Sequence, residues 1–184
     1  MTPGPLEGYH MDNHDSTAEI LEHKRKVKYW INDFVHLLSA RAETHDNSKL
    51  EPEEKHVFDE YTPKLKELTF GSNEYKAALA GMGEGLKHHY KNNRHHPEHF
   101  ENGVNGMTLY DLVEMFGDWL AAAEAKHTPI DVDYLASRFN LSTQLVDILL
   151  NTMRDLDFWC EVNGVPITYF TPSNKRVQPA LCMA

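Results

Sequence analysis

Cysteine is nearly absent: Cys160 and Cys182 are the only two in 184 residues. They form no short metal-binding or redox spacing, and a disulfide-held scaffold would carry more, so a reducing cytoplasm is the expected address. Basic charge is short as well. Lys plus Arg number 18 against 28 Asp plus Glu, a formal net charge of −10, which argues against an extended nucleic-acid surface or an anionic-membrane surface. An anionic small substrate would then need local cations. No stretch approaches the roughly 20 apolar residues of a membrane span, and no basic segment followed by an apolar one opens the chain, so neither membrane insertion nor secretion is expected. With 41% hydrophobic and 25% charged residues, 10 Gly and 9 Pro, collagenous, low-complexity and wholly disordered classes drop out and a single globular domain is expected. Histidine is what the chain has in excess: 12 residues, five of them between His88 and His99.

Residues 1–15 hold two Pro, two Gly and no apolar periodicity, which reads as a disordered tail. From Ser16 or Thr17 the apolar positions Ile20, Val27, Ile31, Phe34, Val35 and Leu38 recur at helical spacing toward Ala42, as one long helix or two collinear ones. Pro52 suits the first turn of a second helix, with Glu53 and Glu54 favourable beside it, and Pro63 ends or restarts that helix. Ser72 and Asn73 open a third, weakened at its end by Gly81, Gly83 and Gly85. Leu86 to Asn93 reads as a short polar helix or turn, Arg94 to Phe100 as a loop, and Gly103 and Gly106 as irregular chain. Thr108 then caps the strongest apolar stripe, running through Leu112, Phe116 and Leu120. Further helices are expected from about Asp131 to Phe139 and from Ser142 to about Cys160, and only Val165 to Phe170 looks like a strand. The fold class expected is all-α, six or seven helices over 16–160, with 161–184 as a short irregular or β-rich extension packing on that domain.

Chemistry concentrates at three places. His45-Asp46 joins a nitrogen and an oxygen ligand, provided the local backbone turns both side chains inward. The run His88-His89-Tyr90-Lys91-Asn92-Asn93-Arg94-His95-His96-Pro97-Glu98-His99 sets five imidazoles between core helices. Desolvating them together is unfavourable unless a metal or acidic partners compensate. Asp111, Glu114 and Asp118, spaced three and four apart, share one face of the helix from Thr108, either as ligands or as carboxylates that orient the histidines.

The order His23, His45-Asp46, His89, His95-His96, Asp118 resembles the HD-domain metal phosphohydrolase superfamily. His45-Asp46-Asn47-Ser48-Lys49 is similar to its HD-x-x-K variant, and His95-His96-Pro97-Glu98 to the HHxE stretch of cyclic-dinucleotide-cleaving members. The glycine-tyrosine-proline run of that group is absent here, so cyclic-dinucleotide cleavage is not implied. HDNSKL, HHYKNNRHHPEHF and DLVEMFGDW, across roughly residues 19–125, also resemble small viral and bacterial proteins grouped as a domain of unknown function.

The superfamily resemblance implies an HD-like helical bundle and metal ligation by His23, His45, Asp46, His89, His95, His96 and Asp118. It implies one or two divalent transition-metal ions (Mn, Fe, Co, Ni or Zn) and a metal-activated water attacking a small phosphorylated substrate such as a nucleotide. Lys49 would contact phosphate, Asn93 and Arg94 would help bind substrate, and His96 or Glu98 would relay a proton. His23 enters the site only if the first helix breaks, with Asn32-Asp33 the candidate break. An HD-fold di-iron oxygenase and a non-catalytic metal-stabilised binding module are the competing classes, and a homo-oligomer is compatible with either.

Overall fold

The structure, a computed structural model, describes residues 14–156, 160–162 and 165–167. Seven α-helices account for most of them: α1 Thr17–Thr44, α2 Pro52–Lys66, α3 Asn73–Gly81, α4 Gly83–Asn92, α5 Leu109–Lys126, α6 Val132–Phe139 and α7 Thr143–Asp155. Short 3-10 turns cover Asn47–Leu50, Pro97–His99 and Gly103–Gly106. The all-α class expected from periodicity is therefore observed. Three short strands, β1 Ile130–Asp131, β2 Cys160–Val162 and β3 Val165–Ile167, form one small sheet in that order, β1 parallel to β2 and β2 antiparallel to β3. A two-residue strand shows no alternation, so β1 left no sequence signal. The expected helix to Cys160 stops at Asp155 because Cys160 is already paired in the sheet, opposite Ile130 and Ile167. The expected tail over residues 1–13, the rest of the predicted strand and Cys182 lie outside the described residues.

The chain divides into two compact units, residues 1–39 and 40–184. The first consists of most of α1, which runs without interruption through Asn32 and Asp33 and has no buried residue. The second carries the apolar core. Phe116 and Ala123 of α5, Ile130, Val132 and Leu135 of β1 and α6, and Leu149 and Met153 of α7 are all buried together, flanked by the stacked rings of Trp119 and Phe139. Caps fix the register of these helices. Thr108 and Asp111 form a reciprocal capping box at α5, and Ser72, Asp131 and Ser142 each accept a backbone N–H at the start of α3, α6 and α7.

One proline and two glycines take roles that their sequence reading did not specify. Pro63 sits inside α2, only one turn from its end at Lys66, so it removes one helical hydrogen bond without ending the helix. Lys126 then closes that end, its Nζ donating to the carbonyls of Leu65 and Leu68. Gly83 adopts φ +54 between α3 and α4, which favours glycine, and a Cβ at Gly85 would stand 2.7 Å from Val57 Cγ2. Gly85 thus lets α4 lie directly on α2, and that approach brings the histidine-bearing face of α4 to Glu54.

Candidate metal centre

Among the large side chains that are fully buried, Met115 and Met153 are apolar, whereas His89, His95, Glu54 and Asp111 are titratable. The second unit therefore has a polar centre beside its apolar core. Asp46 is the pivot. Its backbone is left-handed at φ 58, where Asp is one of the few residues tolerated, and this turn ends α1 so that His45 and Asp46 face the same way. Nε2 of His45 lies 3.3 Å from Asp46 Oδ2, while Nε2 of His89 and of His95 each lie 3.4 Å from Asp46 Oδ1. Nε2 of His96 is 2.8 Å from Nε2 of His89, and Asp118 Oδ1 is 3.6 Å from Nε2 of His45.

Each imidazole that faces Asp46 is held from behind. Glu54 Oε2 accepts from His89 Nδ1 at 2.8 Å, and Glu114 Oε1 lies 3.0 Å from His45 Nδ1 and 3.1 Å from His95 Nδ1. With the Nδ1 protons engaged by carboxylates, the Nε2 lone pairs are left pointing inward. Glu54 Oε1 also accepts from His88 Nδ1, and Glu54 Oε2 from the Ser48 hydroxyl. Glu114 is in turn paired with Arg41, whose other contact is Asp111.

His96 Nε2 is within hydrogen-bond reach of His89 Nε2, but the distances from Asp46 and Asp118 to the imidazoles fit a cation better than they fit hydrogen bonds. Separations of 3.3–3.6 Å are long for a charge-assisted bond. Two ligands each about 2.1 Å from an ion at tetrahedral or octahedral angles stand about 3.0–3.4 Å apart. Asp46 Oδ1 and His95 Nε2 are buried without a hydrogen-bond partner, an arrangement unfavourable in an empty polar centre and natural for two atoms sharing an ion. Three groups of ligand atoms each lie within 4.8 Å: Asp46, His89, His95 and His96; His45, His95 and Glu114; His45, Asp46 and Asp118. His/Asp/Glu side chains are thus positioned to hold a metal ion, with Asp46 shared by the first and third groups.

Protonation follows the same geometry. Burial pushes His96 down to about 2, helped by neighbouring His95 and His89, and burial lowers His89 too, so both are neutral, as ligands must be. With no cation present His45 goes the other way, up to about 11, because Asp118, Asp46 and Glu114 surround it with negative charge, and an ion bound there would have to displace that proton. Burial alone would raise Asp46 and Glu114, but His45 and Lys49 hold Asp46, and His45, His95 and Arg41 hold Glu114, well below the carboxylate range. Asp111 lies behind the centre. Burial opposes its ionisation, yet Arg94, the Thr108 N–H and hydroxyl, and Arg41 bring it down to about 2. A carboxylate with a lowered folded-state pKa stabilises the fold above its ordinary pKa of about 4 and loses that contribution as pH falls toward 2. The urea midpoint of metal-free protein should accordingly fall between pH 4 and 2, and Asp111→Asn should flatten that part of the profile. An unchanged slope in the variant would show that Asp111 is not a source of the acid sensitivity.

The sequence-predicted residues divide cleanly. His45, Asp46, His89, His95, His96 and Asp118 converge. His23 does not: the break at Asn32-Asp33 is absent, and 22 residues of unbroken helix rise about 33 Å, so His23 cannot join His45 of its own chain at one ion. Lys49 does reach the centre, its Nζ on Asp46 Oδ2 and over the face of Phe58. The other three predicted binding or catalytic groups are committed elsewhere. Both nitrogens of the Arg94 fork bind Asp111, the Asn93 amide donates to Ser48 Oγ and the His89 carbonyl, and Glu98 accepts from Arg138 at 3.1 Å. Sequence reasoning missed Glu54. Glu54 read only as a favourable charge in a first helical turn, and nothing in its spacing tells a buried acceptor from a solvated one.

Residues 12–155 match a family model described as "Family of unknown function (DUF5662)". No curated protein and no solved structure matches the chain.

Proposed function

Since the chain belongs to that family of unknown function, its activity must be inferred from the site, and we propose a metal-dependent phosphohydrolase of the HD type acting on a nucleotide or related phosphate ester or anhydride. The observation that carries this is the buried Asp46 carboxylate faced by three imidazole Nε2 atoms, with Asp46 Oδ1 and His95 Nε2 otherwise unsatisfied. His45, Asp46, His89, His95, His96 and Asp118 would hold the ion or ion pair. A divalent ion bound there supplies a water that ionises near neutral pH and positive charge for phosphoryl oxygens.

The protein's own part is positioning and charge. Glu54 and Glu114 fix the ligand tautomers and make the imidazoles more basic. Lys49, at the edge of the centre, presents an ammonium to an incoming phosphate. It also lines an open groove of about 530 Å³ with Phe58, Asp59, Thr62, Pro63 and Lys66, room for a nucleotide-sized ligand with an aromatic wall and two cations against one carboxylate. These lysines offset the chain's net negative charge where an anion would approach. Arg94 acts through Asp111 instead of touching substrate.

A second reading rests on the donor set: four imidazoles suit iron as well as manganese, cobalt, nickel or zinc, which keeps the di-iron oxygenase in view. Elemental analysis of full-length, untagged protein purified without added metal or chelator separates the two. It should be run beside His45→Ala and His96→Ala variants whose helicity is checked by circular dichroism. Near-stoichiometric Mn, Co, Ni or Zn lost from both variants, with phosphate release from a nucleotide panel, is the expected result. Iron with dioxygen uptake and no phosphate release selects the oxygenase. Protein that takes up no metal even on reconstitution overturns both readings.

A further inference from the structure

The N-terminal unit raises a separate question, because its helix carries a wide apolar face that is exposed. Ile20, Val27, Trp30, Ile31, Phe34 and Leu37 are each 41–59% exposed. Most of a helix's stability in a protein comes from packing an apolar face. Exposed apolar patches beyond a few hundred Å² on a soluble chain mark interaction sites.

The pattern along α1 is self-complementary. Ile20, Val27 and Phe34 repeat every seven residues, and His23, Trp30 and Leu37 follow them at the three-residue offset of a coiled-coil seam. In an antiparallel pair the two sets meet in alternating layers. Placing Val27 of one copy opposite Trp30 of the other sets Ile20 opposite Leu37 and His23 opposite Phe34, with the two-fold axis between Lys28 and Tyr29. In that register Lys26 flanks Asp33 of the other copy, and the axis generates the pair twice. A parallel pair sets Lys26 beside Ile31 and Asp33 beside Leu38, leaves Glu19 with Lys24 as its charge match, and puts His23 on His23 and Trp30 on Trp30, a pairing of like polar and like bulky side chains that the antiparallel register avoids. The 18 residues from Ile20 to Leu37 make about 27 Å of paired helix, and its apolar layers and flanking stems would remove on the order of 600–800 Å² from water on each copy, close to the standard of about 800 Å² per partner.

We propose that α1 is a dimerisation element, pairing antiparallel with α1 of a second copy of this chain through the Ile20–Leu37 segment, with Lys26–Asp33 contacts fixing orientation. Sedimentation equilibrium on the full chain tests this. The wild type should be a dimer at micromolar concentration, and Trp30→Glu should be a monomer with the helicity of the second unit retained. Lys26→Asp should weaken the dimer about tenfold or more by opposing like charges at two symmetric positions, and Lys26→Asp with Asp33→Lys should restore it. Restoration would not follow if the single substitution acted by unfolding α1. A wild type that stays monomeric to 100-fold higher concentration overturns the proposal, as does a dimer indifferent to both charge changes.

Discussion

Asp46→Asn should abolish metal binding while leaving the fold in place. Position 46 has φ 58, and Asn enters this left-handed region as readily as Asp, so the turn that joins His45 to the 3-10 segment survives. What disappears is the anionic oxygen that three imidazoles face. Removing an outer-shell partner typically lowers metal affinity 10–100-fold, so replacing a ligand shared by two donor groups should lower it by at least about 100-fold. Two readouts follow. In the wild type, metal at 100 times its Kd should raise stability by about 2.7 kcal/mol through mass action, and the variant should show no such rise. Phosphate release should fall to background in the same preparation. Metal-dependent stabilisation that persists undiminished in Asp46→Asn would remove Asp46 from the ligand set.

Glu54→Ala should be the most destabilising single substitution near the centre. Its carboxylate is fully buried and accepts from His88, His89 and Ser48. Truncation leaves these donors facing a cavity, and breaking a buried charged network of this kind costs about 3–5 kcal/mol. For a domain of this size that corresponds to a fall of roughly 6–20 °C in Tm. Glu54→Gln retains an acceptor oxygen and nearly the same volume, so it should recover much of the stability but not the metal affinity, because a neutral amide no longer raises the basicity of His89. Calorimetry and metal titration on both variants separate the two roles. If Gln restored both quantities fully, the charge of Glu54 would have no part in ligation.

The helical class was legible because α5 and α7 keep one apolar face over several turns and the caps at Thr108 and Ser142 are local signals. The histidine cluster was legible for a comparable reason: imidazoles gathered between core helices need partners wherever the helices go. The outer partners were not. Whether Glu54 is solvated or buried depends on α4 lying across α2, which in turn depends on Gly85 against Val57, a contact 28 residues apart in the chain. The partners of Arg94 and Glu98 were hidden on the same principle, since a free cation and a cation paired to Asp111 are identical in sequence. The two-residue strand β1 escaped because pairing with residues some 30 positions on, rather than any pattern of its own, makes it a strand.

The polar centre described beside the apolar core divides the second unit in its cohesion. Around α5, α6 and α7, side chains such as Met153 and Leu135 stay buried whatever ions the surroundings offer. Around Asp46, α2 and α4, order rests on carboxylates and imidazoles whose mutual repulsions and desolvation a bound cation would relieve. Local opening draws on the weaker region first. Amide protons of α2 and α4 would then exchange with solvent more readily than those of α5 when the ion is withheld, and a protease would find its first foothold there. Cellular metal supply would in that way set the lifetime of the chain, independently of any reaction it performs.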